Sequence, residues 1–523
     1  IWMDNVDISQ SMNLGTNVVY YRTFEILAQM ARELGDRNAS AFFSSQASVV
    51  KENINKRLWN EDRGFYNQFL YGRHFMNVSE RSEALGEALS ILTGVADRER
   101  AQKIVKNTPV LNFGISCIYP QIPNIPPYHN NGIWPFVQAY WNWAAAKTGN
   151  PEALEQGLAA IYRPAAFFLT NKENFVAENG DFKGTQVNSD RQLWSVAGNL
   201  AMVYRVLLGM EFQPDKLVLD PTVPESWAGT RTIKGFRYRD AVLNIEVEGF
   251  GDGIATMTMD GEETGNFAIL ADLSGEHDIH IKMNNRFEQD GGINLVKNDF
   301  TLPAPRVEWK QDKLSWKPVE GAGRYVIFRN GEQLATRKKP SFKPGKKEQH
   351  GQFKVMAMGA DGWESFTSEP LTHYRDADTK MVEIESLSGV KKSGRELIDY
   401  SGSGFVEITK EEHTELEIPV EVSEAGTYLA TFRYANGTGP WNTDNNCAIR
   451  TLMANGKKAG TVVMAQRGEG EWANWGMTNR IEVKLKEGQN MLKIAWQPSN
   501  ENMDGDINRA VLDRLELVKM NSK

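Results

Sequence analysis

The hydrophobic pattern of the chain changes once, near Gly209, from helical to β-type. Before that point apolar residues recur every three or four positions, as in residues 18–34, which is the period of an amphipathic helix. After it, apolar residues stand in short runs such as residues 241–247, separated by Gly, Asp and Pro, as in strands. This single change predicts a helical domain followed by all-β domains.

The helical part, residues 1–212, contains seven such apolar stripes. Gly35 supplies a C-terminal stop, Asp97 a helix start, and Asn150 with Pro151 another start. Short turns between the stripes predict stacked αα-hairpins. An α/α barrel of six hairpins has twelve helices, so we expect five helices to be missing from the front. The remaining hairpins should then expose apolar faces, and we expect this chain alone to be poorly soluble or inactive.

The β part divides into three blocks, each predicted to be a sandwich: residues 213–285, 303–375 and 376–523. A polar stretch, residues 286–302, is predicted to be a linker between the first two blocks. The predicted fold class is therefore multidomain, with a partial six-hairpin α/α toroid followed by three all-β sandwich domains.

Composition excludes several classes of function. The net charge is −8 with both signs interspersed, and no basic block points to nucleic acid. No apolar run is long enough to span a bilayer. Cys117 and Cys447 lie too far apart in sequence to suggest a disulfide framework. Phosphate-loop, dinucleotide, zinc and nucleophile-elbow motifs do not occur.

Three segments of the helical part resemble the six-hairpin glycosidases, in particular glycoside hydrolase family sixty-three and its relatives. They are residues 2–5 (WMDN), residues 128–135 (YHNNGIWP), and residues 178–180 (ENG) ahead of Trp194. The resemblance implies an inverting glycosidase in which two carboxyl groups stand about 6.5–9.5 Å apart. It assigns the general acid to Asp4, the general base to Glu178, and sugar contacts to Trp2, His129, Asn130, Trp134 and Trp194.

The assignment of the base stays open because this chain departs from the family after Glu178. The family continues with a Tyr-Asp/Asn-Pro run, whereas residues 181–184 read DFKG here. Other carboxylates compete for the role of the base: Glu173, Asp181, Asp190 and Asp7.

The β blocks carry resemblances of their own. Residues 213–285 are similar to the small sandwich that follows many six-hairpin enzymes, and residues 303–375 resemble a fibronectin type III domain. Residues 376–523 resemble carbohydrate-binding modules of families six and thirty-five, through segments such as residues 428–437 and 512–516. This last resemblance implies sugar ligands at Trp441, Trp475 and Asn508, and a structural calcium ion held by Glu383, Glu385 and Asp513.

Calcium also has an argument from the residues themselves. Glu383 and Glu385 stand two positions apart in an apparent strand, so both side chains should point to one face. Carboxylate oxygens are the hard ligands that calcium prefers. A pair of solvated strand acids is the alternative.

Three functions remain in competition. The first is a glycosidase that acts on oligo- or polysaccharide and is secreted, periplasmic or on the cell surface, by resemblance. The second is a polysaccharide lyase on an α/α toroid, for which Tyr128, His129 and Asn130 could supply base and neutraliser. The third is a non-catalytic glycan-binding protein.

Overall fold

The computed structural model describes residues 10–439, 447–501 and 508–520. The chain forms two compact units. Unit 1 comprises Met12–Phe69 and Val78–Thr301, and unit 2 comprises Leu70–Asn77 and the chain from Leu302 onward. Unit 1 contains the helical part and the first β block.

Seven α-helices occur in the described residues, at the seven positions that the apolar stripes predict. The predicted caps are confirmed, since the side chain of Asp97 accepts a hydrogen bond from the Arg100 amide and that of Asn150 from the Ala153 amide. The last helix continues as a π-helix, Met202–Leu207. The helices are α1 (Leu14–Glu33), α2 (Arg37–Arg57), α3 (Ala84–Leu92), α4 (Arg98–Asn107), α5 (Pro135–Lys147), α6 (Pro151–Phe168) and α7 (Leu193–Ala201).

The helices form two rows. Helices α1, α3, α5 and α7 contact one another in that order, while α2 packs on α1, α4 on α3, and α6 on α5. This is the arrangement of stacked αα-hairpins, as predicted; closure into a toroid stays a prediction. Exposed apolar side chains lie on α1, α2, α6 and α7, among them Val19, Tyr20, Phe42, Phe167 and Leu193.

Short strands occur between the helices. The pairing that matters for the site joins β9 to β10 in antiparallel register, with Phe175 opposite Ile133. The short strands are β1 (Met12–Asn13), β2 (Trp59–Asn60), β3 (Phe65–Tyr66), β4 (Phe69–Tyr71), β5 (Asn77–Ser79), β6 (Ser82–Glu83), β7 (Pro109–Val110), β8 (Ile118–Tyr119), β9 (Gly132–Ile133) and β10 (Phe175–Val176).

The first β block has two sheets, with strand orders β11-β12-β17 and β13-β14-β18-β15-β16. Alternate residues of β14 and β18, such as Ile245 and Ile279, are buried in its core, as the period of two requires. The strands are β11 (Met210–Phe212), β12 (Lys216–Leu219), β13 (Thr230–Tyr238), β14 (Ala241–Glu248), β15 (Ile254–Met259), β16 (Glu262–Glu263), β17 (Ala268–Leu270), β18 (Gly275–Met283) and β19 (Asn294–Leu295).

The stretch predicted to be a linker, residues 286–302, is bonded to the helical part of the same unit. Strand β19 pairs in parallel with β7. The amide of Gln121 donates to the carbonyl of Asp299, and the side chain of Asn298 donates to that of Asn131. Because its backbone pairs with unit 1, this stretch acts as a strap along the helical part.

The second β block follows in unit 2, with sheets β20-β21-β24 and β23-β22-β25-β26, to which β27 is added through β25. The Asn330-Gly331 pair, a sequence typical of a two-residue hairpin turn, connects β22 to β23 with φ angles of 51° and 81°, as in a type I′ turn. The strands are β20 (Val307–Lys310), β21 (Lys313–Trp316), β22 (Ala322–Arg329), β23 (Glu332–Arg337), β24 (Ser341–Phe342), β25 (Gly351–Gly359), β26 (Glu364–Thr367) and β27 (Leu371–His373).

The last β block has a six-stranded and a four-stranded sheet that enclose one apolar core. Strand β31 lies at the centre of the first, paired with β34, β35 and β37, and β36 lies between β30 and β32 in the second. The strands are β28 (Thr379–Glu383), β29 (Val406–Ile408), β30 (Glu415–Val422), β31 (Gly426–Ala435), β32 (Ala448–Ala454), β33 (Lys457–Met464), β34 (Gly476–Met477), β35 (Ile481–Leu485), β36 (Gly488–Ala495) and β37 (Ala510–Lys519).

One short segment of the helical region, Leu70–Asn77, belongs to unit 2. The buried guanidinium of Arg73 donates to the Glu369 carboxylate at 2.6 Å and to the carbonyl of Met477 at 2.8 Å. Arg73 thus joins the second and third β blocks. Within the described residues, no helix is both long and apolar enough to cross a membrane.

Candidate functional site

The N-termini of α1, α3, α5 and α7 lie side by side. The amide of Gly15 in α1 donates to the side chain of Glu83 before α3 at 3.4 Å. The amide of Cys117, whose carbonyl accepts from the start of α3, donates to the carbonyl of Gly132 before α5. The rings of Trp134 and Trp194, at the starts of α5 and α7, lie 5.6 Å apart. The loops that precede these helices therefore share one end of the row.

Pairing of β9 with β10 brings two of these loops together. It places residues 128–134 beside residues 173–176, and Pro135 in the first helical turn fixes where α5 begins. A carboxylate that follows α6 and a hydroxyl that precedes α5 thus meet at this end.

Glu173 is the buried carboxylate of this group, with 5% of its surface exposed. Its Oε1 accepts a hydrogen bond from the Tyr128 hydroxyl at 2.9 Å, and its Oε2 accepts one from the Ser189 hydroxyl at 3.0 Å. The Glu173 amide also donates to the carbonyl of Ser189. Because each of its two carboxylate oxygens is bonded to a hydroxyl, the group is held in one orientation.

In the hydrogen bond between Tyr128 and Glu173, the tyrosine hydroxyl is the donor. Burial, together with the Glu173 acceptor, raises the pKa of Tyr128 to about 12. The phenol therefore keeps its proton at any ordinary pH. Its ring lies 4.9 Å from that of Trp134, edge to face.

The two predicted tryptophan contacts differ in exposure. Trp134 is 1% exposed, and its indole donates to the carbonyl of Tyr128 at 2.9 Å while His129 stacks on its ring at 4.7 Å. Trp134 is thus part of the core, and a sugar has no access to its faces in this structure. Trp194 is 45% exposed and lies 5.3 Å from Phe136, so it presents an aromatic surface at the same end.

His129 and Asn130 support the loop. Burial lowers the pKa of His129 to about 3, so the imidazole is neutral. Asn130 is buried, and its side chain accepts from the Ile122 amide at 2.7 Å and donates to the carbonyls of Ile122 and Ile125. Because the side-chain amide of Asn130 is bonded to backbone groups of the same loop, its function is to position that loop.

Only Glu178 of the predicted catalytic pair lies within the described residues. Glu178 is exposed, on the turn after β10 that the Gly180 amide closes on the carbonyl of Val176. Asp4 and Trp2 lie outside the described residues.

Two further buried carboxyl groups, Glu83 and Glu87, lie at the start of α3. Glu83 caps this helix by accepting from the Gly86 amide. Glu87 accepts from the Tyr66 amide at 2.9 Å. Burial raises the pKa of Glu83, and that of Glu87 well above its usual range. In the sequence, the only indication that Glu87 is buried is its position on the apolar face of a helix.

The strand argument for the calcium site was wrong in one respect. Strand β28 ends at Glu383, and Ile384–Ser386 forms a 3-10 turn, so Glu385 is not on the strand. Both carboxylates nevertheless face the same loop. Glu383 accepts from the Ser401 hydroxyl at 2.8 Å, and Oε1 of Glu385 accepts from the Ser403 amide at 2.7 Å.

The third predicted calcium ligand has other partners. Asp513 on β37 forms an ion pair with Arg433, lies 3.5 Å from Arg514, and accepts from the Ser401 amide at 2.9 Å. Among the described residues no group of three or more His, Cys, Asp or Glu side chains is placed to hold a metal ion. Asp513 is thus paired with arginine, and its role as a calcium ligand stays a prediction.

Two of the predicted sugar ligands of the last block have protein partners. Trp475 directly precedes β34 and is not on a strand; its indole donates to the carbonyl of Ile398, and its ring contacts Phe405 and Arg433. Asn508 is buried. Trp441 lies outside the described residues.

Comparison with known proteins matches residues 6–195 to one family model, the mannosylglycerate hydrolase MGH1-like glycoside hydrolase domain. The matched segment contains Tyr128, Glu173, Ser189 and Trp194.

Curated relatives include a cycloisomaltooligosaccharide glucanotransferase of Niallia circulans, 27% identical over 238 residues, which are 43% of this chain and 22% of that protein. Another is the exo-beta-D-glucosaminidase of Amycolatopsis orientalis, 26% identical over 198 residues, 38% of this chain and 17% of that protein. The chain therefore spans about a fifth of the length of these relatives.

Solved structures give local likenesses. One is a cycloisomaltooligosaccharide glucanotransferase from Paenibacillus sp. complexed with cycloisomaltoheptaose, with a TM-score of 0.20 and 23% identity, covering 27% of this chain and 18% of that one. Another is a family 35 carbohydrate-binding module from Cellvibrio japonicus, with a TM-score of 0.21 and 20% identity, covering 27% of this chain and 94% of that one. The family match shows that the helical part of this chain carries a glycoside hydrolase-type domain.

Proposed function

We propose that the helical part hydrolyses glycosidic bonds of an oligo- or polysaccharide with inversion, and that Glu173 is its general base. The observation that carries this proposal is the Glu173 carboxylate, buried and held by the hydroxyls of Tyr128 and Ser189. An inverting glycosidase needs one ionised carboxylate that activates water and one protonated carboxyl that protonates the leaving oxygen.

The position of Glu173 supports this function. It lies at the end of the row where Trp194 presents an exposed ring, and pyranose rings pack on aromatic faces. By resemblance, the general acid is Asp4, which precedes α1 in the sequence. Glu178, the alternative base, is exposed on a turn and has no comparable support.

Matched amide substitutions test the choice of base. Glu173→Gln should lower kcat on a cleavable aryl glycoside or oligosaccharide by at least about a thousandfold, since it removes the base. Glu178→Gln should change kcat less than tenfold. The reverse order of the two losses would assign the base to Glu178. Proton NMR of the first-formed sugar anomer distinguishes inversion from retention.

Lyase activity is less well supported. A lyase base must accept a proton, whereas Tyr128 is a protonated donor with a pKa raised to about 12. Ultraviolet absorbance of an unsaturated uronide among the products would nevertheless establish elimination.

We also propose that the last β block binds saccharide and that Glu383 and Glu385 hold a structural calcium ion. Oε2 of Glu385 supports this, since it is buried with no hydrogen-bond partner among the described residues. A calcium ion would supply a positively charged partner for this carboxylate oxygen. Addition of calcium should raise the temperature of unfolding relative to EDTA, and Glu385→Gln should abolish that difference; equal temperatures with and without calcium would exclude the site.

We place the protein outside the cytoplasm, as a secreted, periplasmic or cell-surface protein, because its proposed substrate is a saccharide polymer. Fractionation of the producing cells with an antibody to the last β block tests this placement.

A further inference from the structure

Three amide residues form a closed cycle of hydrogen bonds where the strap meets the helical part. The backbone amide of Asn131 donates to Oε1 of Gln121 at 2.7 Å, and Nε2 of Gln121 donates to Oδ1 of Asn298 at 3.2 Å. Nδ2 of Asn298 in turn donates to Oδ1 of Asn131 at 2.9 Å. Each residue of this amide cycle thus donates once and accepts once.

The members of the amide cycle that belong to the helical part are buried. Gln121 is 0% exposed and Asn131 is 5% exposed, whereas Asn298 on the strap is half-buried. An unpaired polar group at a buried position is costly, because water does not replace the missing partner. The bond from Asn298 therefore fixes the side chain of Asn131.

The strap itself is held at this point by its backbone. The Gln121 amide donates to the carbonyl of Asp299 at 2.8 Å, and the Thr301 amide donates to the carbonyl of Gln121 at 2.9 Å. Neither bond uses the side chain of Asn298. That side chain therefore adds a connection to Asn131 that the attachment of the strap does not need.

Asn131 stands between the two loops of the candidate site. Its φ is 51°, in the left-handed region that asparagine tolerates better than most residues. The carbonyl of its neighbour Asn130 accepts from the Tyr128 amide at 2.8 Å, which closes the turn that carries Tyr128. The carbonyl of Asn131 accepts from the Ala177 amide at 3.0 Å, directly after β10. A shift of Asn131 would thus move the tyrosine relative to its carboxylate partner.

We propose that Asn298 is a positioning residue for the proposed general base, Glu173. By holding Asn131, it holds the loop from which Tyr128 donates to that carboxylate. This inference rests on the proposed function, since it takes Glu173 as the base. Asn298 lies 167 positions after Asn131, so a segment from beyond the first β block completes the support of the site.

Two alanine variants of the full chain, each at a half-buried asparagine of the strap, test this inference. Asn298→Ala breaks the amide cycle. Asn294→Ala is the matched control, because its side chain donates to the carbonyl of Asn107 at 2.8 Å, at the end of α4. Asn298→Asp, a milder second variant, keeps the acceptor for Gln121 and loses the donor to Asn131, so it should reproduce the effects of Asn298→Ala. Unfolding temperatures confirm that the variants fold.

Hydrogen exchange followed by mass spectrometry reports on the loop independently of catalysis. Peptides that contain the amides of Asn131 and Ala177 should exchange at least about threefold faster in Asn298→Ala, and at the wild-type rate in Asn294→Ala. Equal rates in the wild type and Asn298→Ala would overturn the inference. Faster exchange in a protein that hydrolyses no glycoside would support the coupling of strap and loop, and would refute the proposed function alone.

Steady-state kinetics separates positioning from general loosening. Asn298→Ala should lower kcat by about three- to tenfold with KM within about twofold of the wild type. It should also shift the acidic limb of kcat in the same direction as Tyr128→Phe, which removes the hydroxyl itself. In the Tyr128→Phe background it should lower kcat by less than about twofold, because the bond that it positions is already absent. A full repeat of the loss in that background, or an equal loss in Asn294→Ala, would overturn the inference.

Discussion

The hydroxyl of Tyr128 donates a 2.9 Å hydrogen bond to Oε1 of Glu173, across 45 residues of sequence. The two residues come from loops on either side of the α5–α6 hairpin, and the β9–β10 pairing brings them together. Because the phenol cannot lose its proton near neutral pH, the bond has a fixed direction. Tyr128 is therefore a positioning residue for the carboxylate.

Loss of that hydroxyl should reduce catalysis more than stability. A hydrogen bond to a charged group contributes about 1.5–3 kcal/mol, so Tyr128→Phe should lower kcat/KM by about ten- to a hundredfold. Tyr140→Phe, at an exposed position of α5, is the matched control and should stay within twofold of the wild type. A pH–rate profile separates the explanations: a misplaced base shifts the acidic limb of kcat, whereas simple loosening of the loop lowers the whole curve without shifting it.

The two tryptophans at the site should respond to truncation in different ways. Trp194→Ala removes an exposed ring and should weaken saccharide binding by up to roughly tenfold, with little change in unfolding temperature. Trp134→Ala removes a buried ring and should cost about 3–5 kcal/mol of stability. Binding titrations and thermal unfolding of the same preparations check both. If Trp134→Ala instead bound weakly with normal stability, its assignment to the core would be refuted.

The sequence predicts the local elements of this fold well. Helix starts at Asp97 and Asn150, and the hairpin turn at Asn330, are set by short-range hydrogen bonding and backbone preference. What it misses depends on long-range pairing. The strap of residues 286–302 looks like a polar linker because its bonds are made by its backbone and by amide side chains.

The candidate site shows the same limit. The order of the motifs favoured Glu178 as the base. The carboxylate that the structure buries and bonds is Glu173, and its partners Tyr128 and Ser189 come from segments distant in sequence.

Asn508 should prove to be a structural residue of the last β block. Its Oδ1 accepts from the Ile449 amide at 2.9 Å and from the buried guanidinium of Arg450, and its Nδ2 donates to the carbonyl of Asn500. Asn508→Ala would leave these groups unsatisfied and should cost about 2–4 kcal/mol, seen as a lower unfolding temperature. A variant of normal stability that had lost glycan binding would restore Asn508 as a sugar ligand.

Because of Glu87, the free energy of unfolding should fall as the pH rises above the acidic range. Burial raises the pKa of its carboxyl well above the usual range, so the native state retains a proton that the unfolded chain releases above a pKa of about 4.3. Below that pH the carboxyl is protonated in both the native and the unfolded state, so it costs the native state nothing. As the pH rises towards the native pKa, the native state loses stability.

Glu87→Gln removes this penalty. Its amide oxygen can still accept from the Tyr66 amide, and its amide nitrogen stands in for the acid proton. The variant should match the wild type in unfolding temperature near pH 4 and exceed it by at least about 2 °C near pH 8. The conservative control is Glu99→Gln, at an exposed carboxylate on α4, which should show no such difference. A Glu87→Gln variant less stable than the wild type at pH 8 would mean that the native carboxyl is ionised and paired.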